Sequence, residues 1–450
     1  MPTLPTRGAT RRSFLVLVGL GGGASLAGAC SPAQPAQTPA PTAAATKPAV
    51  VAAPTVAPPG TPVPAASPAA AAKPSTVPSA AASPAAQPVA SPSAAPRLIT
   101  KALPPEAYIP FGSNAEMRYE ALKPDQLLIP AANFFVRNHV STPPIDAATW
   151  KLSVEGSGVE KPLTLSYDEL RKLPSTTLTR ALECSGNGRS FFQSMLNRPA
   201  QGTQWKLGAW GVAEWTGTPL AEILQRAGVK TSATNVMPIG LDQPRVRRPM
   251  PLDIASRDDT LVVWGMNGQP LPPDHGFPVR VMVPGYVGIN STKWVGTIQV
   301  AEEPLYSDWN TKTYVLIGPD YPPREPALGP ALEHQVMKAA VALPWPATLQ
   351  AGPRTVRGYA WVPNGTVGKV DVSIDGGKTF QPATVLDPNT EKAGARWEFA
   401  FTAQAGDLTL TTRVTDDKGN AQPIDVATQK WNEQGYLFGV AVPHPVKVTA

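Results

Sequence analysis

Leu182-Glu183-Cys184-Ser185-Gly186-Asn187-Gly188-Arg189-Ser190 is the stretch on which the reading of this chain turns. It sets a polarizable thiol beside two glycines that free the backbone and an arginine that brings positive charge, a combination able to ligate a soft or high-valent metal. Two other readings of Cys184 stay open from the residues alone: a buried cysteine packed as a small hydrophobe, and a nucleophile activated by a histidine. Only two cysteines occur in 450 residues, and the other, Cys30, closes an N-terminal leader. The exported domain therefore holds one thiol and forms no internal disulfide. In an oxidising compartment such a thiol is a hazard unless it is buried, metal-bound or catalytic. The sequence has no Cys-x-x-Cys-His, so no haem is expected in this chain and released electrons must pass to another protein.

Working outward, the residues around this stretch mix element types. Trp150 to Gly156 alternates like a strand, and Ser166 to Leu173 reads as a short helix with a capping box. A second helix is expected from Pro219 to Arg226, and Val279 to Pro284 reads as a buried strand. After the Pro-rich joint at Gly318-Pro319-Asp320-Tyr321-Pro322-Pro323 the pattern becomes short alternating runs, Thr355 to Trp361, Lys369 to Ile374, Trp397 to Thr402 and Leu408 to Thr415. Gly-rich turns such as Asp375-Gly376-Gly377-Lys378 separate them, which points to a β-sandwich. The expected organisation is α+β over residues 99–325 and all-β over 326–450, with two cores of ordinary size.

The N-terminal hundred residues read as an address and a tether. Thr10-Arg11-Arg12-Ser13-Phe14-Leu15 precedes an apolar, glycine-rich run to Ala29, the layout of a twin-arginine export signal over residues 1–30. Ala27-Gly28-Ala29-Cys30 reads either as a lipobox that leaves Cys30 lipidated or as an Ala-x-Ala cleavage site. Residues 31–98 are almost entirely Ala, Pro, Thr, Ser and Val, a composition expected to stay disordered as a linker. An anchored end followed by a spacer favours lipidation, and with it a periplasmic or otherwise extracytoplasmic protein tethered to the membrane. The net charge of +6 comes wholly from Arg7, Arg11, Arg12, Lys47, Lys73 and Arg97. From Leu98 onward acidic and basic residues balance, so no nucleic-acid partner is expected.

The Cys184 stretch resembles the molybdenum-ligand motif of the sulfite oxidase family, and four further segments resemble that family in the same order. They are Asn133 to His139, Ala213 to Leu220, Asn267 to Arg280, and Val283 to Gly288 running on to Lys293-Trp294. Arg357 to Trp361 and Val370 to Phe380 are similar to the family's C-terminal dimerisation domain. The resemblance implies an α+β sulfite-oxidase-type molybdopterin-binding domain followed by an immunoglobulin-like sandwich through which a homodimer forms.

It also implies site roles. Cys184 would supply the protein's bond to molybdenum, and Phe135, Arg137, Asn138, His139, Asp242, His275, Arg280, Ser291 and Lys293 would line the molybdopterin. A pterin phosphate needs cationic forks and backbone donors, which Arg280 and Lys293 suit. Arg137, Arg189, Trp205 and Tyr314 would form the substrate pocket, with guanidinium groups binding a small sulfur oxyanion such as sulfite. His334 and His444 have no such context. Three positions depart from the family pattern: Gly188 stands where animal enzymes have a second arginine, although bacterial relatives look like Cys-x-Gly-Asn-Gly-Arg, Gln434 stands where the sulfite-oxidising enzymes have a pocket arginine, and Thr313 replaces an acidic neighbour of the tyrosine. Gln434 bears most on substrate, because a neutral amide binds an anion less strongly than a charged fork.

The implied activity is molybdenum-dependent oxidation of sulfite to sulfate by oxygen-atom transfer, with electrons passed to an external c-type cytochrome. The alternatives are a sulfane dehydrogenase subunit of a thiosulfate-oxidising system, a reductase of another oxo-compound and, from a different class, a non-catalytic binding lipoprotein.

Overall fold

A computed structural model describes residues 98–450 apart from 389. The leader, the linker up to residue 97 and Cys30 lie outside the described residues. The strand expected near Trp150 forms at Lys151–Glu155, and the short helix at Tyr167–Arg171. Ser166 caps that helix by accepting from the Glu169 amide while Glu169 reaches back, so two otherwise orphaned donors are satisfied reciprocally. The second helix is Leu220–Arg226, with Leu220, Ile223 and Leu224 turned into the core.

Two sheets build the frame of the first region. Thr176–Glu183 pairs antiparallel with Trp210–Pro219, which pairs with Leu261–Met266. A second sheet runs in the order Leu163–Ser166, Lys151–Glu155, Val295–Ala301, Asn235–Gly240 and Met250–Pro251, with Val295–Ala301 parallel to Lys151–Glu155. A small three-stranded sheet ends in Val136–Arg137 and so delivers the Phe135–His139 segment.

The C-terminal region is the expected sandwich. One sheet has the order Lys338–Val341, Gly352–Trp361, Ala395–Ala403, Thr384–Val385; the other Ala347–Gln350, Pro443–Thr449, Gly406–Asp416, Val367–Ser373, Gln381–Pro382. Alternation along Ala395–Ala403 sends Trp397 and Phe399 inward against Val370, Val414 and Leu410, which is why the period-2 pattern was readable.

The expectation of two separate cores holds only in part. One apolar cluster crosses the joint, taking Phe134, Trp210 and Trp215 from the first region and Tyr359, Trp361, Phe438 and Val440 from the second. Trp210 and Trp361 stack at 4.6 Å and 14° in its middle. Burial of large aromatic surfaces on both sides of the boundary makes the sandwich part of the wall behind the Cys184 loop. No helix among the described residues is long and apolar enough to cross a membrane.

Candidate active site

Strand Thr176–Glu183 ends where Cys184 begins, and the loop that follows is held from three sides. The Cys184 amide donates to Ala209 at 2.9 Å, the Asn187 amide to Cys184 at 2.9 Å, and the Gly188 amide to Lys206 at 2.6 Å. The glycines are required by shape. Gly188 has φ +95°, a conformation that favours glycine, and a Cβ on Gly186 would sit 2.4 Å from the Arg189 guanidinium. Cys184 itself is buried and free, 6% exposed, in the wall of a cavity of about 70 Å³.

That cavity gathers most of the residues expected from the sequence. Phe135, Arg137, Asn138, His139, Asp242, His275, Arg280, Ser291, Lys293 and Tyr314 all line it with Cys184. They come from distant parts of the chain: the end of the small sheet, the loops flanking Arg280–Met282, and the segment after the short helix Asp308–Thr311.

Arg280 donates to the carbonyls of His275 (3.1 Å) and Ser291 (2.8 Å), and its Nε has no partner. Lys293 donates to Asn138 Oδ1 and, at 2.8 Å, to the Asp274 carbonyl. Burial and the nearby Arg280 push its ammonium well below the ordinary lysine range. Arg137 donates to Asn114 Oδ1 at 3.3 Å and to the Tyr314 hydroxyl at 3.2 Å. Burial opposes its charge, but Tyr314, Cys184 and Tyr436 outweigh burial and raise its pKa. Among the described residues none of these three side chains forms an ion pair with a carboxylate; Arg137 and Arg280 bring guanidinium groups to a wall that Asp242 and Asp274 also line.

His139 and Tyr314 form the other polar edge. The Tyr314 hydroxyl lies 2.8 Å from His139 Nε2. Burial, Arg137 and Lys293 push the imidazole far below its ordinary pKa, so it is neutral; in the tautomer protonated at Nδ1, Nε2 accepts the hydrogen bond of the Tyr314 hydroxyl. Tyr314 and Trp294, both on the cavity wall, have φ of +53° and +54°. Backbone in this region costs free energy for bulky residues and clusters at functional sites.

Two expected pocket residues do not line the cavity. Trp205 is fully buried beside Phe111, 5.7 Å centroid to centroid, and does not line the cavity. Its size and adjacency to the loop put it in the core rather than at the surface of the pocket. Arg189 also stays out of the lining: Nε donates to the Gln434 carbonyl at 2.7 Å and Nη1 to the Thr203 carbonyl at 2.8 Å. Those two carbonyls pull the guanidinium behind Tyr436, whose ring it covers at 5.3 Å.

Other residues belong to the site that the sequence did not single out, although Asp274 lies within the Asn267 to Arg280 motif. Asp274 lines the cavity and accepts from Thr142 Oγ1 (2.5 Å), the Thr100 amide (2.9 Å) and the Lys101 amide (2.8 Å). Burial pushes its carboxyl up, but these bonds outweigh burial and hold it below the usual range. Lys101 Nζ stands 3.3 Å from His275 Nε2, and burial lowers its pKa to about 7 despite Asp274. Tyr436 stacks on Tyr314 and donates to Gln434 Oε1 at 2.5 Å. Lys101 and Tyr436 are lone residues in ordinary settings, and only the fold brings them to Asp274 and Tyr314.

With the geometry in place, comparison with known proteins identifies the same two regions. The family model for the oxidoreductase molybdopterin binding domain matches residues 139–309, and that for the Mo-co oxidoreductase dimerisation domain matches residues 335–441. The chain is 35% identical to the sulfite oxidase of Gallus gallus over 343 residues, 72% of this chain and 74% of that one. It is 34% identical to the mitochondrial sulfite oxidases of Mus musculus and Homo sapiens, spanning 63% of the length of each. Among solved structures, the sulfane dehydrogenase SoxCD from Paracoccus pantotrophus superposes with a TM-score of 0.66 at 26% identity, covering 75% of this chain and 87% of that one.

Proposed function

The chain belongs to the sulfite oxidase family of molybdopterin oxidoreductases, and from that premise we propose that it oxidises sulfite to sulfate outside the cytoplasm and passes the electrons to a c-type cytochrome. The observation that carries the reading is the buried Cys184 thiol set in the wall of a cavity lined by Arg137, Arg280 and Lys293, none of which forms an ion pair with a carboxylate among the described residues.

The residues present fit a molybdenum-pterin group. Polar atoms left without a partner cluster on the cavity wall: Arg280 Nε, Asp242 Oδ2, Ser185 Oγ and Thr292 Oγ1. Arg280 and Lys293 would hold the anionic phosphate tail, Asp242 would accept from a pterin N–H, and the Cys184 sulfur would bond the metal. When bound, the group supplies the transferable oxygen and the two-electron couple.

The chain's own residues bind and orient. Arg137 offers a charged fork to the sulfite oxyanion next to the thiolate, where low dielectric strengthens the attraction. Its Nη2 donates to the Tyr314 oxygen while the Tyr314 proton points at His139 Nε2, so the hydroxyl is held in one orientation. Neutral His139 keeps a second positive charge away from Arg137 and leaves room for a proton at Nε2. The overall balance is sulfite plus water to sulfate, two protons and two electrons.

A second reading has its own support. Gln434 replaces a guanidinium with an amide that is taken up by Tyr436, and the similar solved structure is a sulfane dehydrogenase. Protein-bound sulfane sulfur carries less charge than sulfite and fits a pocket with fewer cations. Homodimerisation through the sandwich, twin-arginine export and tethering at a lipidated Cys30 complete the proposal.

Purified protein is expected to hold about one molybdenum per chain and to reduce cytochrome c when sulfite is added. Protein loaded with metal but inert toward sulfite and active on protein-bound sulfane sulfur would move the assignment to the second reading. Protein without molybdenum would leave only a binding role.

A further inference from the structure

Glu183, the residue before Cys184, forms an ion pair with Lys338 at 2.6 Å, and both side chains are 3% exposed. Lys338 begins the sandwich strand Lys338–Val341, so the pair joins the metal-ligand loop to the C-terminal region. The same carboxylate oxygen accepts from Asn187 Nδ2 at 2.9 Å. Asn187 Oδ1 accepts from the Ala209 amide at 3.0 Å, Ala209 accepts from the Cys184 amide at 2.9 Å, and the Asn187 amide donates back to Cys184 at 2.9 Å. Cys184 thus sits inside a closed ring of hydrogen bonds with Glu183 at its rim and Lys338 outside it. The strand register repeats the link: Glu183 pairs with Trp210, Trp210 stacks on Trp361, and Trp361 pairs with Lys338.

Two desolvated charges gain little net stability, and a well-packed apolar pair would serve as well for cohesion alone. What the ion pair adds is direction, since the carboxylate oxygen is held where it receives both Lys338 and Asn187. We infer that Lys338 is a positioning residue: through Glu183 and Asn187, the sandwich holds in register the backbone that carries the Cys184 sulfur. Its bearing on the metal rests on the proposed role of Cys184, while its bearing on the loop does not.

The test is hydrogen exchange on the full-length chain, comparing the segment 182–190 with the sandwich strand Ala395–Ala403 in the parent, in Lys338→Met and in Glu183→Gln/Lys338→Met. The double variant leaves no lone buried charge and is expected to melt with the parent. In both variants the loop segment should exchange about tenfold faster while the strand is unchanged, the signature of local opening. Loop exchange equal to the parent's in the double variant would overturn the inference, as would loop and strand rising together. In metal-loaded protein the double variant should lose about tenfold in kcat with KM for sulfite within about twofold. A parent inert toward sulfite would count against the proposed function while the exchange result still decides the inference.

Discussion

The ring of Tyr436 lies 5.3 Å from that of Tyr314 and within 13° of parallel, joining the C-terminal tail to the wall of the cavity. Arg189 covers Tyr436 in turn, and the Tyr436 hydroxyl is fastened to Gln434. Tyr314 is therefore backed by a stack in which the sandwich region supplies Tyr436 and the Cys184 loop supplies Arg189. That backing supports its left-handed backbone and leaves the hydroxyl one way to point, between Arg137 and His139.

Tyr314→Phe keeps the stack and removes only the oxygen. Arg137 Nη2 loses an acceptor and His139 Nε2 loses a donor. A hydrogen bond to a charged group contributes about 1.5–3 kcal/mol, so kcat/KM for sulfite should fall about 10- to 100-fold with molybdenum content unchanged. Steady-state kinetics with metal analysis on the same samples checks this, and a change under about twofold removes the hydroxyl from the reaction.

Gln434→Arg should strengthen sulfite binding. The native amide is occupied, accepting from Tyr436 and donating to the Lys312 carbonyl at 3.4 Å, and it carries no charge to offer an oxyanion. A guanidinium there adds a charged donor and should lower KM for sulfite about three- to tenfold, because charge-assisted bonds are about twice as strong as neutral ones. Activity on protein-bound sulfane sulfur should not gain in parallel. If KM for sulfite rises instead, the tail does not face the substrate.

Cys184→Ser tests the premise beneath all of these. The backbone bonds of Cys184 to Ala209 and Asn187 do not involve the sulfur, so the variant should fold and melt near the parent. Turnover should drop by more than about 1,000-fold, since the hydroxyl is a far poorer soft-metal ligand than a thiolate. Melting curves and sulfite-dependent cytochrome reduction together give the answer, and a variant that turns over like the parent refutes the metal reading.

Much of this was legible before any coordinates. Alternation announced the strands of the sandwich because one face of each is buried, and the Ser166–Glu169 capping box marked its helix because the end of a helix must satisfy its own donors. Ordered motifs located Cys184, Arg280 and Lys293 in one site although periodicity could not. Lys101 and Tyr436 carry no sequence signal because a single residue in an ordinary loop has no pattern, and Asp274, though inside the Asn267 to Arg280 motif, has nothing local that marks its partners. Their roles arise from contacts more than 100 residues away, as between Thr100 and Asp274. Trp205 and Arg189 lie outside the cavity lining for the converse reason: sequence proximity to the motif says nothing about which side of the loop a side chain takes. The shared core around Trp210 and Trp361 also lay beyond reach, since a domain boundary read from composition does not reveal what packs across it.

His444 contributes to the loss of stability in acid from a position away from the site. Nε2 donates to the Pro344 carbonyl at 2.9 Å, Nδ1 has no partner, and the ring packs on Trp345 at 4.3 Å. Burial pushes its pKa down to about 4, against the Pro344 bond and with help from Lys206. The folded value thus lies below the unfolded value of about 6.5, so as pH falls the unfolded chain takes up the proton first. Stability attributable to this group is intact above about pH 6.5 and is lost progressively down to about pH 4, to a total of about 3 kcal/mol. Glu116, raised by burial to about 7, acts in the opposite sense, but it is common to parent and variant and cancels in their difference. His444→Gln keeps a donor for Pro344 and cannot titrate. Urea unfolding from pH 7 to pH 4 should therefore show the variant gaining about 3 kcal/mol relative to the parent as the pH drops. A difference that stays constant over that range would mean the folded protein accommodates the imidazolium, and the burial argument for His444 would be wrong.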